Sequence, residues 1–177
     1  MSLGLITRSG RVLTARLLKG DSIEGITHCA IGDGDETFTD PLNPPDVSVD
    51  QTALKHERAR KRCYKVTFLR EDPEGVLEVN GICYSETGLE TQTIGVFFRF
   101  DEAEANGVTI REYGFFGGNV EYIDGHQSDY AEGGVYDPAT NPSGQVKRSG
   151  YLYEVKNIPD FNKTSDTRVE LVGVIKI

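Results

Sequence analysis

Apolar and polar residues change period several times along the chain, and each change marks an element. Val12, Leu13, Leu17 and Leu18 fall near i, i+1, i+5 and i+6, with Arg8, Arg11, Arg16 and Lys19 on the other face. That spacing predicts a helix with an apolar stripe and a basic face. Thr7 suits its N-cap, and Gly20 stops it. Strand periodicity follows. Residues 23–31 alternate loosely and run into the turn Gly32-Asp33-Gly34. Residues 65–70 alternate through Val66 and Phe68, and 76–84 read as a single strand after the turn Asp72-Pro73-Glu74-Gly75. Residues 93–100 form a buried-type run. Segments 108–116, 151–155 and 169–177 supply further strands, the last alternating cleanly to Ile177.

The stretches between these elements differ in kind. Residues 35–50 are acidic and hold Pro41, Pro44 and Pro45, which predicts an extended surface loop. Residues 51–62 favour a helix by composition, yet they join directly to a strand-like segment, so helix and bent strand both stand. Residues 117–150 carry seven glycines with Pro138 and Pro142 and little periodicity. They read as a long loop or insertion within one domain spanning 1–177. The expected fold is therefore α+β. An N-terminal helix packs on mostly antiparallel, sandwich-like sheets, with a long Gly-rich loop.

Composition narrows the function. The chain of 177 residues carries a net charge of −9, which repels a phosphate backbone, so no nucleic-acid partner is expected. No apolar run approaches the roughly 20 residues that span a bilayer, so membrane insertion is not expected. No N-terminal secretory signal is expected either. The cysteines Cys29, Cys63 and Cys83 form no Cys-x-x-Cys pair, and read as reduced, buried or half-buried thiols.

Candidate chemistry is sparse. There is no Gly-x-Ser-x-Gly elbow, no phosphate-cradling glycine motif, and none of His28, His56 and His126 sits in a triad context. Asp33-x-Asp35 opens like a calcium loop, but Pro44 stands where the closing Glu would be. Neither a catalytic group, a cofactor nor a metal is expected. A binding or structural role is the better reading.

Four stretches, in order, carry a resemblance. They are Leu5-Ile6-Thr7-Arg8-Ser9-Gly10-Arg11, then Ala30-Ile31-Gly32-Asp33-Gly34, then Gln51-Thr52-Ala53-Leu54-Lys55-His56-Glu57, then Ile110-Arg111-Glu112-Tyr113-Gly114-Phe115-Phe116. Over about residues 5–118 the chain resembles the N-terminal domain of tail-fibre (tail-collar fibre) proteins of contractile-tailed phages and prophage particles. That family shows a Thr-to-Gly entry into a helix, a Gly-Asp-Gly turn, a Gln-Thr-x-Leu-x-x-Glu segment and an Ile-Arg-Glu-x-Gly-x-Phe strand. The resemblance implies a structural, non-catalytic part of a virion tail that joins a fibre to the baseplate. It implies tail and baseplate proteins as partners, a trimer or hexamer of the chain itself, and synthesis in the bacterial cytoplasm. Its candidate structural or interface residues here are Gly32, Asp33, Gly34, Gln51, Thr52, Leu54, Glu57, Ile110, Arg111, Glu112, Gly114 and Phe116. No repetitive shaft follows, so a free-standing adapter, a baseplate component or a truncated fibre all fit.

The physics of these motifs suggests one specific contact: Arg111 paired with an acidic group such as Glu57, drawing two motif segments together. Two other functions are compatible with the residues. A carbohydrate-binding β-module would stack sugars on Tyr122, Tyr130 and Tyr136, with Tyr151 and Tyr153 nearby. A glycan hydrolase would need two carboxylates flanking a cleft.

Overall fold

In chain order the elements are β1 (Leu5–Ile6), α1 (Arg8–Lys19), β2 (Ile26–Gly32), β3 (Glu57–Arg62), β4 (Lys65–Glu71), β5 (Leu77–Val79) and β6 (Ile82–Thr87). They continue with β7 (Thr93–Phe100), β8 (Thr109–Gly117), β9 (Glu121–Tyr122), β10 (Tyr130–Glu132), β11 (Val146–Arg148), β12 (Tyr151–Asn162) and β13 (Val169–Lys176). This computed structural model describes residues 4–126 and 129–177. A six-stranded sheet runs β1-β12-β8-β2-β3-β10, and a five-stranded sheet runs β13-β7-β4-β6-β5. A small β11-β9 ribbon sits apart from both. All the strand pairs are antiparallel.

The α+β expectation is corrected. Strands hold 46% of the residues against 7% in helix, and the sheets wrap into a near-barrel. The helix begins at the Thr7 cap and ends at Gly20 in the left-handed region, as its signals indicate. It adds no layer, because it buries only Gly10 and Leu13. Leu18 is 84% exposed, and Val12 and Leu17 are also open to solvent. The apolar stripe read from spacing is thus mostly surface.

The core explains why the sheets meet. Cys29 and Ile31 of β2, Val96, Phe98 and Phe100 of β7, and Tyr113 and Phe115 of β8 form one buried cluster. Phe98 stacks on Phe115 with centroids 5.0 Å apart. Strand alternation sends Ala30 and Phe116 to the opposite face, where Leu54, Leu152 and Val155 cover them. Strand β2 is buried on both faces from Thr27 to Gly32, and Cys29, Ala30 and Ile31 make its centre small and apolar.

Three segments differ from their sequence reading. Residues 76–84 are not one strand: Asn80 (φ 52°) and Gly81 (φ 76°) turn β5 back into β6. Asn-Gly with two positive φ angles is the strongest short hairpin signal. The 51–62 ambiguity resolves as a strand from Glu57, paired with β2 on one side and β10 on the other. The 117–150 stretch holds β9, β10 and β11 rather than a featureless loop.

The turns at one end are tied by a cation. Lys163 is 1% exposed. Its Nζ donates to the Thr164 carbonyl (3.0 Å), the Asn106 side-chain oxygen (3.2 Å) and the Glu102 carbonyl (3.3 Å). All three cysteines are free, and burial pushes the Cys29 thiol far up. No helix among the described residues is long and apolar enough to cross a membrane.

Candidate functional site

The residues singled out in the sequence gather around the outer face of the six-stranded sheet. The helix entry comes first. The Thr7 N–H donates to the Tyr153 carbonyl, and its hydroxyl accepts the Gly10 N–H and donates to the Leu152 carbonyl. One side chain therefore caps the helix and ties it to β12. Next door, the Arg8 N–H donates to the Val49 carbonyl, and the Arg8 side chain pairs with Asp50. The segment before β3 is thereby fixed to the helix start.

Glu112, fully buried on β8, is the hub of the remaining motifs. Its carboxylate accepts the N–H groups of His56 (2.8 Å) and Lys55 (2.9 Å). One side chain thus holds the Gln51-to-Glu57 segment against β8, and the Asp33 N–H, donating to the His56 carbonyl at 3.2 Å, ties the Gly-Asp-Gly turn to the same segment. Burial raises the Glu112 pKa, while the donated hydrogen bonds oppose the rise. Gly32 is required at this crossing. A Cβ there would lie 2.5 Å from the His56 carbonyl and 2.6 Å from the Glu112 carboxylate. Leu54 seals the same face against Phe116 and Leu152.

The expected Arg111–Glu57 pair is not formed. Arg111 binds Asp160 with two parallel hydrogen bonds of 2.9 Å, at a partly solvated site. Glu57 instead takes Arg60, three residues along the same strand. Arg60 Nε reaches Glu57 at 2.9 Å and Nη2 reaches it at 2.7 Å. Its Nη1 donates to the Ser149 carbonyl at 2.6 Å, and its guanidinium lies 3.9 Å above the Phe116 ring centre. Strict alternation would put residues 57 and 60 on opposite faces. A register shift between Ile31 and Gly32 opposes an extra β3 residue and turns both to one side. This completely buried Arg60 was missed by sequence reasoning; the only signal is a run of charges, ERARKR, inside a strand.

The other named residues are placed as follows. Asp33 pairs with His56 and Arg58. Asp35 accepts the Thr37 N–H and hydroxyl, which hold its carboxyl below the usual range. Among the described residues, no group of three metal-ligating side chains occurs. Gln51 closes a local bond to the Ala53 carbonyl, and Thr52 is exposed. Ile110 lies in the inter-sheet core, and Gly114 sits where Leu152 and Leu54 approach β8.

The tyrosines do not share one surface. The Tyr122 ring lies 5.7 Å from His28, and burial pushes its phenol up to about 12. The Tyr130 hydroxyl accepts the Ala105 N–H and donates to Glu132. Tyr136 is exposed. A polar cleft of about 810 Å³, lined in part by Arg58, Glu132, Asn141 and Gln145, opens next to Tyr130, whose partners Ala105 and Glu132 line it.

One buried carboxyl makes the joint pH-sensitive. Glu154 of β12 is 5% exposed and accepts the Gly4 N–H at 2.8 Å. Burial lifts it above its ordinary value of 4.5. The folded chain therefore holds this proton to higher pH than the unfolded chain does. The group's contribution to stability is greatest below pH 4.5 and falls as pH rises through the folded value. Glu154→Gln should thus gain on the wild type between acid and neutral pH. Urea unfolding at both ends of that range measures this, and a pH-independent difference would sink the assignment.

A model of the family described as baseplate wedge 3 tail fiber network component matches residues 4–177. No curated protein matches the chain.

Proposed function

The chain belongs to the baseplate wedge 3 tail fiber network component family, and from this premise we propose that it joins a tail fibre to the baseplate wedge as a non-catalytic connector. Membership makes it a structural component of a phage baseplate, located in the virion tail beside other baseplate and tail proteins. The attachment role is the finer reading. The observation that carries it is the convergence of all four motif segments on one joint, organised by Thr7 and Glu112 rather than around a reactive group. A joint of this kind holds its surface residues in fixed relative positions, as a docking surface requires. Self-association as a trimer or hexamer, the closed symmetries of baseplates, belongs to the same reading.

Deleting the gene from the phage tests the proposal. Particles should assemble sheath and baseplate but carry no fibres, and the full-length chain supplied in trans should restore them. Deletion particles that retain their fibres would refute it.

A further inference from the structure

Strand β13 is the one long sheet edge without a paired strand or a hydrogen-bonded loop on its outer side among the described residues. It pairs with β7 alone, across all eight of its residues. The other edges are short or protected. Strands β5 and β10 have three residues each. The free side of β12 is screened by β1 and by the proline loop, whose Pro41 and Pro45 carbonyls accept from the Asp160 N–H and the Asn157 side chain. A long uncovered edge is a template for another strand, and folded proteins cover or charge such edges.

The geometry of the edge is definite. The Ile177 N–H donates to the Gln92 carbonyl, so the odd-numbered residues of β13 address β7. By alternation, Glu170, Val172, Val174 and Lys176 turn their N–H and C=O groups outward. The sequence of this edge is complementary to itself about Gly173. A second copy laid antiparallel with its Gly173 opposite Gly173 pairs Val172 with Val174, Leu171 with Ile175, and Glu170 with Lys176. All the outward-facing residues then meet outward-facing residues, as an antiparallel ladder requires. The opposite charges fall across from each other at both ends. Sliding the pairing so that Val172 meets Val172 would instead oppose Lys176 with Arg168, two like charges.

We propose that β13 is a two-fold interface at which two copies of this chain join their five-stranded sheets edge to edge through this register. The side chains are free to do so. Glu170 is exposed, and Lys176 is engaged only with Glu71, in a pair more than half exposed on both sides that costs little to exchange. Apolar clefts flank the edge at both ends. One is lined by Ile6, Ile82 and Val174, the other by Pro159, Phe161 and Leu171. They offer further apolar surface to the second copy. The inference goes beyond the attachment role and does not need it. It makes the assembly even-numbered, so that a hexamer would consist of three such pairs.

Sedimentation velocity on the full chain, from micromolar to millimolar concentration, tests it. The wild type should form a dimer or an even-numbered assembly. Glu170→Lys opposes two lysines at each end of the ladder and should weaken association roughly tenfold or more. Adding Lys176→Glu to it should restore association by reversing the pair. Val172→Pro removes an outward N–H, a change edge strands tolerate. It should abolish the dimer while lowering the melting temperature only by the part-buried packing of Val172 against its core cluster, with the five-stranded sheet still folded by circular dichroism. A monomer throughout, an odd-numbered assembly indifferent to these changes, or a dimer that survives Val172→Pro would overturn the proposal. So would a chain that stays monomeric and pairs β13 only with a strand of another baseplate protein. Fibre loss in the deletion phage reads the attachment role separately, since it is scored on particles.

Discussion

Arg60→Ala should cost about 3–5 kcal/mol of stability, the range for removing one partner of a buried ion pair. Three losses coincide. Glu57, whose side chain is 8% exposed, keeps a carboxylate with no cation against it. The Ser149 carbonyl loses its donor, and the Phe116 face loses the guanidinium stacked above it. Lysine would not substitute, because a single ammonium cannot present the two parallel hydrogen bonds that Nε and Nη2 make. The charge itself is not what the fold needs. Replacing both partners by apolar residues of similar volume, as in Arg60→Met with Glu57→Leu, should recover much of the loss. Urea unfolding at neutral pH measures both variants. A loss below about 1 kcal/mol for Arg60→Ala would mean that the pair is solvated, in the manner of exposed pairs.

Glu112→Leu is the second large effect expected, at about 2–4 kcal/mol, from backbone donors left without an acceptor. The N–H groups of Lys55 and His56 both lose the carboxylate. Glu112→Gln keeps one acceptor oxygen and should cost less. Hydrogen exchange separates this effect from general destabilisation. The His56 amide should become far less protected than amides in β7, which belongs to the other sheet. Uniform loss of protection, or a ΔΔG within about 0.5 kcal/mol as at ordinary surface sites, would show that Glu112 is not the hub.

Both sites mark the border of what the sequence made legible. Local signals were read well where one residue decides the outcome. Thr7 and Gly20 set both ends of the helix, and the apolar run over 93–100 became β7. The four motif stretches do converge, yet the contact chosen to join them, Arg111 with Glu57, does not exist. Which acid an arginine meets depends on a bulge and on strand order, and neither is a property of the neighbouring residues. Strand β3 was ambiguous for the same reason. Its charged residues become a strand because β2 and β10 bracket them, a contact across about seventy positions on the β10 side. The helix stripe failed in the opposite direction, since spacing shows which residues share a face but not whether anything covers it. The Asn80-Gly81 dipeptide is itself a turn signal, but alternation on both of its sides continues in phase and gives 76–84 the pattern of one strand.

Lys163 bears on conditions outside the cell, where a virion tail operates. Its ammonium occupies a cage of two backbone carbonyls and one amide oxygen. Oxygen cages of this sort in loops are often filled by a dissolved cation, whose occupancy follows the medium. Here the cation is covalently attached to the chain and cannot be diluted or chelated away. The turns at 101–107 and 163–168 therefore keep that one organising charge in fresh water and brine alike, while the exposed pairs of Arg168 with Asp101 and Glu102 beside it are screened by salt.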